Sequence, residues 1–227
     1  MAKQHGTAGE WAMVRGTVLS LWPLFLSFVL LGAFLSAFVF GAYPWLFGGL
    51  FVASLIAVAI YWRKGLRRVE SFFRGARGEE RVASVLADLP EGYHVFHDFE
   101  AGHERVDHVV AGPTGVFAIE TKNWNGRVQI EDGHILVNGA LPTRDPAAQA
   151  QREADRVSVR LKGLGFEVTV FPVVCFASDT FEPGASANVG AVRVINAGAI
   201  AEWLKALPES ISQNDLKRLV QLMGTGK

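Results

Sequence analysis

The chain has 227 residues, 50% of them hydrophobic, and its 22 basic and 22 acidic side chains leave no formal net charge. That balance gives no overall pull toward a polyanion, and a single cysteine excludes a disulfide framework within one chain, which agrees with a domain on the reducing side of a membrane. The hydrophobicity is unevenly spread: no charged residue occurs from Gly16 to Trp62, and ordinary globular composition begins at Arg63.

The apolar stretch comes first. Crossing a bilayer takes roughly 20 apolar residues, and Thr17–Phe40 and Trp45–Trp62 have that character and about that length. Gly41-Ala42-Tyr43-Pro44 stops one helix and turns the chain. Tyr43 and Trp45 suit one water–lipid boundary, and Trp22, Tyr61 and Trp62 suit the other. Pro23 lies near enough to the start of the first segment to be tolerated. A signal peptide would have a shorter apolar core, a small-residue cleavage site and no second span behind it. Lys3 and Arg15 precede the hairpin, Arg63, Lys64, Arg67 and Arg68 follow it, and the turn is uncharged. The positive-inside rule then expects both termini in the cytoplasm. The expected organisation is an N-terminal segment over 1–16, two transmembrane helices within 17–62, a basic linker over 63–73 and a soluble domain over 74–227. The lipid bilayer is one expected partner.

The soluble part reads as α/β. Gly75–Leu89 is a helix with Val82, Val85, Leu86 and Leu89 on one stripe. Tyr93–Phe99, Arg105–Ala111 and Val116–Thr121 are strands, the last two around Gly112-Pro113-Thr114-Gly115. Arg127–Ile130 and Ile135–Val137 flank Asp132-Gly133, a hairpin signal. Asp145 and Pro146 open a helix as cap and first residue, with Ala147, Ala150, Ala154, Val157 and Leu161 as its stripe. Val168–Phe176 is a central strand, with Cys175 as a small core residue. Val192–Ile195 is a short strand, and helices start at Asn196 and Ser212, the latter with Asp215 three residues on. This order describes a mixed sheet flanked by helices.

The chemistry-bearing residues are Asp107, Glu120 and Lys122. Glu120 and Lys122 share one face of a strand. With Pro113 and Thr114 at the hairpin tip, Asp107 falls opposite Glu120. Two carboxylates in contact repel, and burial adds to the cost. A divalent cation removes that conflict, and oxygen-only ligands suit Mg²⁺ or Mn²⁺. Lys122 alongside could orient a water or stabilise charge on a phosphate. A cross-strand salt-bridge cluster on a wet face fits the same residues. Glu79 sits on the apolar stripe of its helix, facing the sheet, where a metal or Lys122 would serve as its partner; an acid favoured by the helix dipole is the other reading. Gln149 lies at the flank of a later stripe.

Five histidines, His94, His97, His103, His108 and His134, follow no zinc-ligand spacing and read as surface or strand residues. Trp124 reads as a loop anchor rather than a base-stacking platform. Arg74, Arg77, Arg81, Arg105, Lys122 and Arg127 could line a phosphate cleft. Gly32, Gly48 and Gly49 could let apolar helices approach closely and oligomerise.

Gly78-Glu79-x-x-Val82, Val106-Asp107-His108-Val109-Val110, Gly112-Pro113-x-Gly115-Val116-Phe117, Ile119-Glu120-Thr121-Lys122-Asn123 and Gly126 together resemble the NERD (nuclease-related) domain. Asp145-Pro146-x-x-Gln149 is similar to that family's Asn-Pro-x-x-Gln element, with Asp in place of Asn. The likeness runs from about Arg74 to Gln151, more loosely to Phe176, and omits the hairpin. It implies a restriction-endonuclease-like fold of the PD-(D/E)XK superfamily. It implies Asp107, Glu120 and Lys122 as the core site, with Glu79 and Gln149 accessory. Asp107, Glu120 and Glu79 would hold Mg²⁺ or Mn²⁺, DNA would be the substrate, and no organic cofactor is expected. The expectation is a membrane-anchored nuclease at the cytoplasmic face; the alternative is a non-catalytic membrane adaptor that uses the fold to bind nucleic acid or protein.

Overall fold

The computed structural model describes residues 1–41, 43–178, 181 and 186–224, side chains excepted at 44 and 64–69. Ala42 of the expected turn, and the side chains of Lys64, Arg67 and Arg68 in the basic flank, lie outside the described residues. The elements are β1 (Lys3–His5), α1 (Glu10–Phe40), α2 (Pro44–Ala87), β2 (His94–Ala101), β3 (Glu104–Gly112), β4 (Gly115–Lys122), β5 (Val128–Glu131), β6 (His134–Val137), α3 (Pro146–Gly163), β7 (Val170–Phe176), β8 (Ser186–Val189), β9 (Val192–Asn196), α4 (Ala197–Ala206) and α5 (Gln213–Gly224). They fall into two compact units, Trp11–Arg74 on the one hand and Met1–Glu10 with Gly75–Lys227 on the other.

The Trp11–Arg74 unit is helical. Glu10–Phe40 and Trp45–Arg63 are long and apolar enough to cross a membrane, with mean hydropathy of 2.3 and 2.0. Only 17% and 6% of those apolar windows are buried, so within this chain they are not packed as core helices. The stretch expected as a linker over 63–73 is helical and belongs to α2. It contains no proline, and its Arg, Lys, Leu and Glu residues are good helix formers.

Polar groups inside this apolar unit find one another. Pro23 has no N–H, so the carbonyl of Leu19, four residues earlier, loses its helical donor. The hydroxyl of Tyr61 donates to that carbonyl at 2.7 Å. Trp62 Nε1 donates to the Ser20 carbonyl at 3.3 Å, and Ser54 Oγ donates to Ser27 Oγ at 3.3 Å. Gly48 lies under the ring of Phe34, where a Cβ would meet it at 3.0 Å, whereas Gly32 and Gly49 meet nothing within 4 Å.

In the other unit, seven strands form one mixed sheet in the order β1-β2-β3-β4-β7-β9-β8. The β3–β4 hairpin pairs His108 with Ile119 and proceeds to Gly112 with Gly115, leaving Pro113 and Thr114 at the tip. This is the expected register. Tyr93 braces the tip: its hydroxyl lies 3.1 Å from Thr114 Oγ1, and a Cβ on Gly112 would fall 2.3 Å from its ring. The end of α2 and helix α4 bury Val82, Leu86, Ile200 and Leu204 against Val110, Phe117 and Ile119 on one face. Helices α3 and α5 bury Val157, Leu161, Leu219 and Met223 against Val106, Val109 and Ala118 on the other. Asp145 caps α3, accepting from the N–H groups of Ala147 and Ala148. Asp132 and Gly133, both at positive φ, make the β5–β6 turn.

Some expectations change. The first residues are not a separate segment: β1 pairs in parallel with β2, Lys3 with His94, Gln4 with Val95 and His5 with Phe96. Strand β8, unread in the sequence, pairs antiparallel with β9. Central strand β7 is buried except at Phe171, which is 44% exposed. Burial of Cys175 pushes its thiol pKa up and keeps it unreactive.

The Tyr61 contact carries an expectation. Tyr61→Phe leaves the Leu19 carbonyl without a donor in an apolar surround, and should weaken the helix pair by about 0.6–1.7 kcal/mol. The measurement is reversible unfolding of the full chain in mixed detergent micelles. An unchanged midpoint would remove this role from Tyr61.

Candidate active site

The site is assembled at the open end of the β3–β4 hairpin. The ladder stops at His108 and Ile119, and one residue further out Asp107 lies close enough to Glu120 to feel its charge more than that of any other residue. Asp107 is held by the main chain of the partner strand: the N–H of Thr121 donates to its Oδ2 at 2.8 Å. Two residues along β4, Lys122 Nζ pairs with the Glu120 carboxylate. It also donates to Gln149 Oε1 at 3.1 Å, and Gln149 Nε2 donates to Glu153 Oε1 at 2.9 Å. The capped first turns of α3 thus reach the strand lysine through one amide.

Glu79 comes from α2 and is buried. It sits close to β4 because Gly78 has no side chain: a Cβ there would lie 2.6 Å from Asn123 Cβ. The backbone N–H of Gly9 is near enough to the Glu79 carboxylate to oppose the rise in its pKa. The predicted site residues Asp107, Glu120, Lys122, Glu79 and Gln149 are therefore brought together. Sequence reading missed Glu153. Its signal was available, since it lies between Ala150 and Ala154 on the apolar stripe of α3, where an acid needs a partner.

Electrostatics make the cluster costly in the absence of a cation. Asp107 is pushed well above the ordinary carboxylate range by burial, then by Glu120, Glu79 and Glu153, against the Thr121 N–H. Glu79 is raised to about 7 by burial, then by Asp98 and Glu120, with the Gly9 N–H and Lys122 opposing. Glu153 is raised to about 9 by burial and then by Glu120, against Gln149 and Lys122. Among the described residues no donor reaches the buried Glu153 Oε2. A retained proton on Glu153 lets it face Glu120. A cation could replace that proton. Among the described residues no group of three His, Cys, Asp or Glu side chains is arranged as a ready metal cage.

The histidines divide. His103 and His134 are exposed. His97 and His108 are buried, their Nδ1 atoms 2.8 Å apart, and His97 Nε2 lies 2.6 Å from Gln4 Oε1. With the Gln4 oxygen as acceptor, His97 carries its proton on Nε2 and His108 on Nδ1. Burial lowers their pKa values to about 4 and about 3, so both are neutral. Trp124 packs on Phe176 at 5.7 Å, as a loop anchor. Arg74 is paired with Glu70 and Arg105 with Glu100, while Arg77, Arg81 and Arg127 are exposed.

This arrangement defines the class: an α/β domain with an acid from each of two neighbouring strands and a lysine two residues beyond the second. Residues 74–177 match the family described as the nuclease-related domain, NERD. An uncharacterised protein of Bacillus anthracis is 35% identical over 83 residues, which cover 34% of this chain and 39% of that relative's length. No solved structure matches.

The raised carboxyls carry a pH signature. Their folded pKa values exceed those of the unfolded chain, so the fold binds more protons and loses stability as pH rises through the folded values. Above pH 7 the two buried histidines are neutral whether folded or not. The metal-free chain should therefore lose stability from pH 7 to pH 9, with Glu153 as a main source, and Glu153→Gln should flatten that fall. Denaturant midpoints measured across this range in the presence of a chelator test it; parallel curves for wild type and variant would refute the assignment.

Proposed function

We propose that this chain is a membrane-anchored, divalent-metal-dependent nuclease that hydrolyses DNA phosphodiester bonds at the cytoplasmic face. The observation that carries the reading is the close placement of Asp107 and Glu120, with Lys122 fixed between Glu120 and Gln149. The donor set of Asp107, Glu120 and Glu79 fits Mg²⁺ or Mn²⁺: it is all oxygen and largely buried, and beside it Glu153 Oε2 lacks a donor among the described residues. Mg²⁺ keeps several waters and takes one or two protein carboxylates, so a cage of three is not required. Asp107 and Glu120 would hold it, with Glu79 assisting.

The bound ion would supply a Lewis acid for a phosphodiester oxygen and a more acidic water. The chain's residues do the rest. Lys122 Nζ places a fixed positive charge where a phosphate oxygen gains charge, and it can orient the attacking water. Gln149 ties that ammonium to α3, which restricts it to one position. The Thr121 N–H keeps Asp107 in place through the main chain, independent of side-chain rotamers.

Anchoring is supported by α1 and the start of α2, whose apolar side chains point outward; Phe40 is 81% exposed. The segments on either side of Trp11–Arg74 belong to one compact unit, so both ends of that stretch lie on one side of any bilayer it crosses. The basic flanks support a cytoplasmic location for that side.

The test is cleavage of plasmid and linear DNA by the purified full chain in detergent with Mg²⁺ or Mn²⁺. Asp107→Asn and Lys122→Ala should each lower the rate by about 100-fold or more, the scale of losing one transition-state contact, and chelation should abolish it. Equal trace cleavage by wild type and both variants would favour the non-catalytic adaptor.

A further inference from the structure

The segment ahead of the first apolar helix is built into the domain that follows the second. Lys3 N–H donates to the Tyr93 carbonyl at 2.9 Å, and β1 then adds as an edge strand beside β2. Ala2 belongs to the core between the sheet and α2. Gln4 meets buried His97 at 2.6 Å, and the His5 ring stacks on Phe96 at 4.3 Å. Two glycines then bring the backbone in where no side chain fits. Gly6 has φ +79°, and a Cβ there would fall 2.9 Å from the His97 carbonyl oxygen. Gly9 has φ +70°, and a Cβ there would fall 3.0 Å from Ala76 Cα and carbonyl oxygen. That close approach seats the end of the segment on Ala76, three residues before Glu79 on α2.

We infer that Met1–Gly9 is a positioning strap for the active site, docked by β1 and ending with Gly9 packed on Ala76, one helical turn before Glu79 on α2. What Glu79 does there rests on the nuclease reading; how it is held rests on these contacts. The strap explains why two residues with left-handed backbones sit in a short segment that, as a loose tail, would need neither. It makes Gly9, Gln4 and the β1 pairing part of the site machinery, although none of them touches substrate. It also means that a domain cut out from residue 74 onward lacks one of its own sheet strands and one of the groups that orient its acids.

The experiment uses the full chain in detergent micelles. Gly9→Ala forces a Cβ against Ala76 and an unfavourable φ, which shifts the turn of α2 that carries Glu79. Mn²⁺ affinity by calorimetry should fall about tenfold or more, the usual effect of losing a group that orients a ligand. The kcat for DNA cleavage should fall with KM for DNA unchanged, and amide hydrogen exchange should quicken over 76–82 and 94–97 alone. A purely structural role would lower the melting temperature and leave metal affinity and kcat intact well below it. Gln4→Ala, which loosens β1 and leaves Gly9 in place, should shift the same readings in the same direction by less, and it decides the matter if Gly9→Ala does not fold. Wild-type metal affinity, kcat and exchange in the folded variants would overturn the strap. If the wild type itself neither binds Mn²⁺ nor cleaves DNA, the nuclease reading fails. The strap then stands or falls on whether exchange over 76–82 quickens in the variants.

Discussion

The repulsion among Asp107, Glu120, Glu79 and Glu153 is the constraint around which the soluble unit is arranged. Buried carboxylates near one another cannot all ionise without a compensating cation. The fold meets this with partial remedies: one ammonium from Lys122, main-chain N–H groups from Thr121 and Gly9, and a retained proton on Glu153. Each comes from a different element, so β4, α3, α2 and the N-terminal segment must all be in place before the acids can be tolerated. The more stable sheet supports that strain: Val109, Val110, Val116, Ala118 and Ile119, all fully buried, lie directly behind the site. A site that is costly when empty and relaxed when a cation enters is the expected electrostatic form of a metal-dependent hydrolase.

Close backbone approach does much of the positioning. Gly78 lets α2 lie against Asn123, Gly9 lets the N-terminal chain lie against Ala76, and Gly112 lets the hairpin lie under Tyr93. At each place an added methyl group would meet a backbone, Cβ or ring atom at 3.0 Å or less. These are contacts in which the missing side chain is the functional property. Two of the three sit beside Glu79, so the turn of α2 that carries it is located by main-chain geometry on both sides.

Much of this was legible in the sequence, for physical reasons that differ by residue. The β3–β4 register followed from a two-residue tip at Pro113 and Thr114, because pairing propagates rigidly from a turn. Glu79 was legible because helical periodicity put an acid on an apolar stripe. Glu153 satisfied the same test and was passed over: with Ala on either side of it, its stripe looked like a small-residue packing face. β1 was illegible, since Lys3–His5 is short, polar and paired with a strand about ninety residues away, and no local pattern encodes such a partner. His97 and His108 looked like ordinary strand residues, and only tertiary packing shows that they face each other in the core. Phe171 sits in a run that reads as buried on both faces, yet it stacks on Phe117 at 5.5 Å and stays 44% exposed.

The strand β1 also bears on topology, independently of charge. A parallel pair with β2 can form only where the two segments share one solvent, because every backbone N–H and C=O of the ladder must leave water together. Met1–Glu10 therefore emerges on the same side as Gly75–Lys227, and the intervening chain crosses a bilayer an even number of times or not at all. Crossing zero times would leave Phe25, Phe28, Val39 and Phe40 in water at 67% exposure or more, apart from an unshown partner. Two spans satisfy both conditions, and the Tyr61–Leu19 hydrogen bond satisfies the one carbonyl that Pro23 would otherwise strand among hydrocarbon. The sheet edge and the apolar helices thus agree with the proposed two-span anchor by separate physical routes, one through hydrogen-bond geometry and the other through hydrophobic burial.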